Sequence, residues 1–357
     1  MATLTGPVEI IGTGLLGTSV GLACRRAGLE VLLSDAVTAH VRTARGLGAG
    51  RQRQQSDRPQ LVVVAVPPAQ LGAVIVDALA QTQEYGAVVT DVGSVKSSPL
   101  REVLDKGADV RRYVGSHPMA GSERSGPLAG TAALFDGRPW AITPHADADP
   151  VVVALVEELA RLCGAVPVML DPDAHDRAVA RTSHLPHLMS ALVAGRLADA
   201  PADHLALSGQ GVRDVTRIAA GDPALYGQIV SGNASAVTDL LGEVRAQLDA
   251  LIAAVSSGDQ AALRTLLELG VAGTQAIPGK HGGPHTPSAS VFVSVPDTPG
   301  ELARLFADVG ESGVNIEDVR IDHDPGRPVG VTELLVTASA VEGLLAALES
   351  KGWVTHR

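Results

Sequence analysis

Six short aliphatic runs, separated by amphipathic stretches of helical length, fill residues 1–170: VEII (8–11), EVLLS (30–34), LVVVAV (61–66), AVVTDV (87–92), RPWAITP (138–144) and VPVML (166–170). Short strands with little polar alternation are buried on both faces. Alternating them with helices predicts βαβ units and a parallel sheet covered on both sides.

The first run leads directly into IIGTGLLGTSVGLACRRAG, which places Gly12, Gly14 and Gly17 in a G-x-G-x-x-G array between a strand and a helix. In that context the array predicts a Rossmann-type dinucleotide-binding domain. Gly12 allows the tight turn, Gly14 lets backbone approach a pyrophosphate, and Gly17 lets helix and strand pack closely. The helix N-terminus at Leu15 and Leu16 then offers unpaired N–H groups to phosphate. Asp35 ends the second run, where an acid accepts from the ribose 2′-hydroxyl, which favours NAD over NADP; its alternative role is a strand-end cap. Arg42 and Arg45 keep NADP open. Val66 and Pro67, in AVPP (65–68), close the third run beside the same pocket.

Two further motifs fall where ligands bind in open α/β sheets, beyond strand ends: DVGSVK (91–96) and, after Tyr113 and Val114, GSHPMAG (115–121). His117 can be a core histidine, a metal ligand or a proton-transfer group. Its place in the pattern points it at the cofactor, where a neutral imidazole accepts a proton. Ser94 can bond that imidazole or a substrate hydroxyl. Pro118 restrains the His117 backbone toward extended geometry.

From Asp171 the period becomes helical, with Asp171–Pro172 and Asp222–Pro223 as N-cap and first-turn pairs. Residues 171–272 thus form an all-helical domain, whose long helix at 233–256 carries apolar positions 237, 240, 241, 244, 248, 251 and 252 for packing on a helix or a second subunit. His184 and His187, three apart, share a helix face but lack the third ligand a metal requires. Arg213 and Arg217, four apart, can present two guanidinium forks to a carboxylate, or pair with Asp214 or Asp222. Residues 273–288, rich in Gly, Pro, Ser and His, form a linker, and 289–357 follow the βαββαβ order of ferredoxin-like domains.

Aromatics are 2% of the chain and the net charge is −11, which argues against nucleic acid or an anionic membrane as partner. Two cysteines, Cys24 and Cys163, make no disulfide framework, and the N-terminus has no signal-peptide pattern, so the expected location is cytoplasmic. The longest aliphatic run, at 61–66, is too short to span a bilayer.

The combination GTGLLGTSVGLA, DVGSVK, GSHPMAGSERSG, SHLPH and VRDVTRIAAGDPALYGQI, in that order, resembles the prephenate/arogenate dehydrogenase family. The tail, with VPDTPGELARLF and GVNIEDV, resembles an ACT regulatory domain. The resemblance implies NAD-dependent oxidative decarboxylation of prephenate to 4-hydroxyphenylpyruvate, or of arogenate to tyrosine. It implies that His117 takes the proton of the ring hydroxyl with help from Ser94. Arg217, His187, His184 and Arg213 would bind substrate, and Glu123 would line or gate the entrance. A homodimer through the helical domain is implied too, as is feedback by tyrosine at the first strand–helix loop of the tail, with Asp297, Thr298, Gly300 and Asn315. Two competitors stand beside this reading. A β-hydroxyacid dehydrogenase shares the Rossmann start but generally uses a helical-domain lysine, which this chain lacks: its lysines are Lys96, Lys106, Lys280 and Lys351. A non-catalytic sensor of NAD and an amino acid has no need of a proton acceptor.

Overall fold

The computed structural model describes residues 3–121, 124–277, 287–323 and 329–357. The chain divides into two compact units, Met1–Ala246 and Gln247–Arg357.

In the first unit, β1 (Val8–Ile11), α1 (Leu15–Arg26), β2 (Val31–Ser34), α2 (Thr38–Gly46), β3 (Arg51–Gln52), β4 (Leu61–Val64), α3 (Leu71–Gln81) and β5 (Val88–Asp91) follow in turn. The strands form a parallel sheet in the order β3-β2-β1-β4-β5. Its two faces bury opposite parities of each strand: Leu61 and Val63 join Val8, Ile10 and Leu33 on one side, while Val62 and Val64 join Leu71, Ile75 and Val89 on the other. This is the double burial expected of strands without polar alternation. β3 is two polar residues long, which is why no hydrophobic run announced it.

After α4 (Ser97–Asp105) come β6 (Gly115–Pro118), β7 (Pro139–Thr143), α5 (Pro150–Leu162) and β8 (Val166–Met169). They form a second sheet, β6-β7-β8, with β6 antiparallel to β7 and β7 parallel to β8. One expectation is corrected: the sheet is not parallel throughout. Residues 115–118 are a strand, while Tyr113 makes only an isolated parallel bridge to Val89. GSHP has little strand propensity. Its strand is held by polar contacts: Thr90 Oγ1 donates to Val114 O at 2.7 Å, Ser116 Oγ to Asp91 O at 2.7 Å and Thr143 Oγ1 to Gly115 O at 2.9 Å. A Cβ on Gly115 would lie 2.8 Å from Thr143 Oγ1, so only glycine fits there. Trp140 on β7 is fully buried, its ring 5.0 Å from that of Phe135.

The remainder is helical up to the second unit: α6 (Pro172–Val179), a π-turn (Ala180–His184), α7 (Leu185–Gly195), α8 (Ala202–Leu205), α9 (Gln210–Thr216), α10 (Pro223–Gly232) and α11 (Ala234–Ser257). Asp171 and Asp222 cap α6 and α10 through the N–H groups of Ala174 and Ala224, each at 2.8 Å. Val237 and Leu240 of α11 are buried against Ala180.

In the second unit α12 (Gln260–Gln275) precedes β9 (Ser288–Pro296), α13 (Glu301–Glu311), β10 (Asp318–His323), β11 (Val329–Thr337), α14 (Val341–Ser350) and β12 (Val354–His356). The four strands form an antiparallel sheet in the order β10-β11-β9-β12, so the βαββαβ order is present. Alternate residues Val291, Val293 and Val295 pack with Leu305, Leu344, Leu348 and Trp353. Trp353 Nε1 donates to Asp308 Oδ2 at 2.7 Å, and the Arg304 guanidinium lies 3.9 Å over its ring. Leu248, Ile252, Val255, Leu267 and Val271 are exposed. No helix among the described residues is long and apolar enough to cross a membrane.

Candidate active site

The turn after β1 is shaped by excluded volume. Gly12 has φ +96°, and a Cβ there would meet Ala65 O at 2.4 Å; one on Gly17 would meet Gly12 O at 1.9 Å. A Cβ on Gly14 would meet nothing within 4 Å, so the backbone there faces open space. The N–H groups of Leu15, Leu16 and Gly17 lie in the first turn of α1 and have no acceptor inside the helix. Glycine turn, open approach and orphan donors together fit a dinucleotide pyrophosphate. Val66, half-buried just past β4, packs against Gly12, and Pro67 beside it is exposed.

Asp35 Oδ2 accepts from the Thr13 N–H at 2.6 Å and the Thr13 hydroxyl at 2.9 Å, and Oδ1 from the Val37 N–H at 2.7 Å. Burial raises its pKa, but these bonds and nearby His40 outweigh burial and hold it below the usual carboxylate value. The carboxylate is therefore fixed at the tip of β2, and its spare lone pairs suit a ribose hydroxyl.

His117 stands on β6. Ile11, Val64 and Asp91 are in register across β1, β4 and β5, and the Val89–Tyr113 bridge places His117 beyond that line of carboxyl ends. His117 Nδ1 is 3.0 Å from His175 Nε2, and His175 Nδ1 is 2.8 Å from Asp176 Oδ1. Asp176 also accepts from the Lys96 N–H (Oδ1) and the Ser97 N–H (Oδ2), both at 2.9 Å. Burial pushes Asp176 up, but the His175 bond and the two backbone donors outweigh it, so it stays an anion. An anion at that point requires His175 to carry its proton on Nδ1. Its Nε2 then accepts from His117 Nδ1–H, and His117 Nε2 keeps a free lone pair. Burial foremost, then His175, Lys96 and His184, hold His117 well below the ordinary imidazole pKa, in its neutral form.

Beneath this chain lies a buried ion pair. The Lys96 ammonium bonds Asp91 Oδ2, and donates to Ser116 O at 2.6 Å. Asp91 also accepts from the Tyr113 hydroxyl and the Gly93 N–H, both at 2.8 Å. Burial, followed by Asp91, raises the Tyr113 pKa well above its ordinary value.

The other residues singled out in the sequence divide into two groups. His184 and His187 follow the π-turn, which ends at His184, and both reach α10: their contacts there, Asn233 at its end and Tyr226, are seven residues apart. His184 lies 3.3 Å from Asn233 Nδ2, which also donates to Asp176 O at 2.7 Å. Burial lowers the His184 pKa to about 4, against the pull of Asp176. His187 stacks on Tyr226 with ring centroids 3.4 Å apart and planes 3° from parallel, and its Nδ1 is buried without a partner among the described residues. Ser94 is half-buried on the loop between Asp91 and Lys96, and no bond joins it to His117, whose Nδ1 is taken by His175. Arg213 and Arg217 are exposed, while Asp214 accepts from the Gln210 amide and Asp222 from the Ala224 N–H. Glu123 lies outside the described residues. In the second unit Asp297, Thr298 and Gly300 form an exposed turn before α13, with Gly300 at φ +97°, and Asn315 donates to Glu317 at 3.0 Å.

His175, Asp176, Asn233 and Tyr226 were not anticipated. The adjacent His175 and Asp176 in DPDAHD were their one visible signal, and nothing in the spacing joins them to a residue 58 positions earlier.

Residues 20–169 match the family described as "Prephenate dehydrogenase, nucleotide-binding domain", and residues 171–269 match "Prephenate dehydrogenase, dimerization domain". The chain is 37% identical over 355 residues to the probable prephenate dehydrogenase NovF of Streptomyces niveus, covering 96% of this chain and 98% of that protein. It is 28% identical over 314 residues to the prephenate dehydrogenase of Lactococcus lactis, covering 84% and 85%. Its fold is similar to the crystal structure of the prephenate dehydrogenase from A. aeolicus in complex with hydroxyphenyl propionate and NAD+, with TM-score 0.68 and 26% identity over 76% of this chain and 98% of that one.

Proposed function

This chain belongs to the prephenate dehydrogenase family, and from that premise we propose that it catalyses the NAD-dependent oxidative decarboxylation of prephenate to 4-hydroxyphenylpyruvate in tyrosine biosynthesis. The observation that carries the reading is the His117–His175–Asp176 chain, which presents an unprotonated Nε2 beyond the carboxyl ends of a dinucleotide-binding sheet.

Gly12, Gly14, Gly17 and the N–H groups of Leu15 and Leu16 hold the pyrophosphate, Asp35 the ribose, and Val66 and Pro67 line the pocket. NAD bound there supplies the acceptor for the hydride that leaves C4 of the ring. His117 Nε2 takes the proton of the C4 hydroxyl. The resulting imidazolium donates through Nδ1 to His175, whose own Nδ1–H points at the Asp176 anion, so the new charge is stabilised without leaving the site. The ring carboxylate departs as CO2, its electron pair completes the aromatic ring, and the proton held on His117 Nε2 returns to the ring oxygen to give the phenol of 4-hydroxyphenylpyruvate. Ser94 assists at the same hydroxyl. Arg217 binds a substrate carboxylate, with Arg213, His187 and His184 as further contacts and Glu123 at the entrance.

Arogenate is the second reading, because it differs from prephenate only in an amino group on the side chain. The names of NovF and of the Lactococcus protein favour prephenate. A simple 3-hydroxy acid substrate and a non-catalytic sensor fit less well, since neither accounts for the histidine chain. NAD reduction measured in parallel with prephenate, arogenate and a simple 3-hydroxy acid separates these readings. His117→Asn is expected to lower turnover about 10²–10⁴-fold with NAD affinity kept; full turnover in that variant refutes the assignment of the base.

Four further assignments complete the reading. The chain divides as 1–170, 171–272, 273–288 and 289–357. The helical segment forms a homodimer, supported by its family match and by exposed Leu248 and Ile252. The enzyme works in the cytoplasm. The βαββαβ tail is an ACT domain that binds tyrosine near Asp297, Thr298, Gly300 and Asn315, supported by its strand order. Millimolar tyrosine should alter activity or melting temperature, and an intact chain indifferent in both excludes the feedback role.

A further inference from the structure

We propose that Lys96 is a positioning residue that grips both ends of the proton-accepting chain. The inference rests on the reading of His117 as base, and assigns a task to a side chain that has no route to substrate.

Lys96 is the largest charged side chain wholly inside the unit, at 1% exposure. A buried ammonium is costly unless paired, and replacing such a pair by apolar groups is often neutral for stability, so stability alone is a weak reason for it. Its contacts supply another reason. The backbone N–H of Lys96 donates to Asp176 Oδ1, the same oxygen that bonds His175. Its ammonium donates to Ser116 O, the carbonyl of the peptide that leads into His117. One residue therefore fixes the acid end of the chain with its backbone and the base end with its side chain. Asp91, held by Tyr113 and Gly93 and bonded to the ammonium, anchors Lys96 to the carboxyl end of β5. The GSHP strand is held by its pairing with β7 and by polar contacts, and the ammonium–Ser116 O bond is the one of these that ties the peptide before His117 to the ion pair.

The cation has a second consequence. The charged and titratable groups facing His117 are His175 and Asp176 from α6, His184 from the π-turn, Lys96 from the loop before α4, and Asp91 behind Lys96. Burial lowers the Lys96 pKa, against the pull of Asp91 and Asp176, and the positive charge it carries as an ammonium disfavours protonation of His117. Removing it should make the imidazole easier to protonate.

The test is Lys96→Met beside Asp91→Asn/Lys96→Met, which removes both charges at once and keeps a foldable chain should the single variant fail. Each is measured for NAD binding by calorimetry and for kcat and kcat/KM against pH. The expected result is NAD affinity within about twofold of wild type, kcat lowered about 10²-fold by misplacement of the base, and, in Lys96→Met, the acid limb of the kcat/KM profile moved to higher pH, a shift that the double variant, having lost the Asp91 charge as well, shows less. A folded variant with wild-type kcat and an unmoved acid limb overturns the proposal. So does a parallel decline of NAD affinity and kcat with an unmoved limb, which marks a merely structural residue. His117→Asn run alongside keeps the two failures apart: if it retains turnover, the base assignment is wrong whatever Lys96 does.

Discussion

Replacing Asp176 by Asn tests the tautomer logic directly. Asp176 presents two oxygens to three donors: Oδ1 to His175 Nδ1–H and the Lys96 N–H, Oδ2 to the Ser97 N–H. An amide has one oxygen, and either orientation fails. With its oxygen toward His175, its NH2 meets the Ser97 N–H donor to donor, leaving a buried N–H unpaired at about 1–3 kcal/mol in stability. The new imidazolium also loses its anion. With its NH2 toward His175, that ring must carry its proton on Nε2, His117 Nδ1 becomes an acceptor, and its Nε2 is protonated and no longer a base. Catalytic loss is expected at about 10²–10⁴-fold in kcat, or about 3–5 kcal/mol of barrier. The assay is NADH formation at saturating prephenate, with NAD affinity by calorimetry and melting temperature as controls. A folded Asp176→Asn enzyme with kcat within about threefold of wild type refutes the directed chain of protons from His117 to Asp176.

Arg217→Ala should raise KM for prephenate about 10- to 100-fold, as loss of a charged hydrogen bond does, with kcat little changed; an unaltered KM removes Arg217 from the substrate site. Gly14→Ala and Gly17→Ala should part company. The first should keep the wild-type melting temperature and weaken NAD binding. The second, driving a methyl into Gly12 O, should cost about 1–3 kcal/mol of stability, and equal melting temperatures contradict the packing described. Stability should fall with pH from 6.5 through about 4, because there the unfolded chain protonates His184 and the folded one does not. The loss attributable to His184 is about 3 kcal/mol at most, and urea unfolding of His184→Asn should show a shallower slope over that range; an unchanged slope assigns the titration elsewhere.

The parts of the molecule that were readable in its sequence are those governed by local period or fixed spacing. Gly12, Gly14 and Gly17 had to recur at those intervals because each meets a particular obstacle or opening. The aliphatic runs that became β1, β2, β4 and β5 were visible because both their faces are buried, and the Asp–Pro pairs marked α6 and α10. β6 was invisible as a strand because its residues hold position through Thr90, Asp91, Lys96 and Thr143 rather than through a hydrophobic pattern. His117 could be singled out, yet its partners could not, since His175 reaches it only once the helical segment folds back over the strand ends.

The chain holds only two tryptophans, and each is sealed into the core of a different unit. Trp140 sits in an apolar wall beside Phe135, whereas Trp353 is hydrogen-bonded to a carboxylate beneath a guanidinium, so their emission is expected to differ in colour and in quenching. The molecule thus carries one built-in optical label per unit, and its fluorescence can reveal whether the two melt as one cooperative body or in succession.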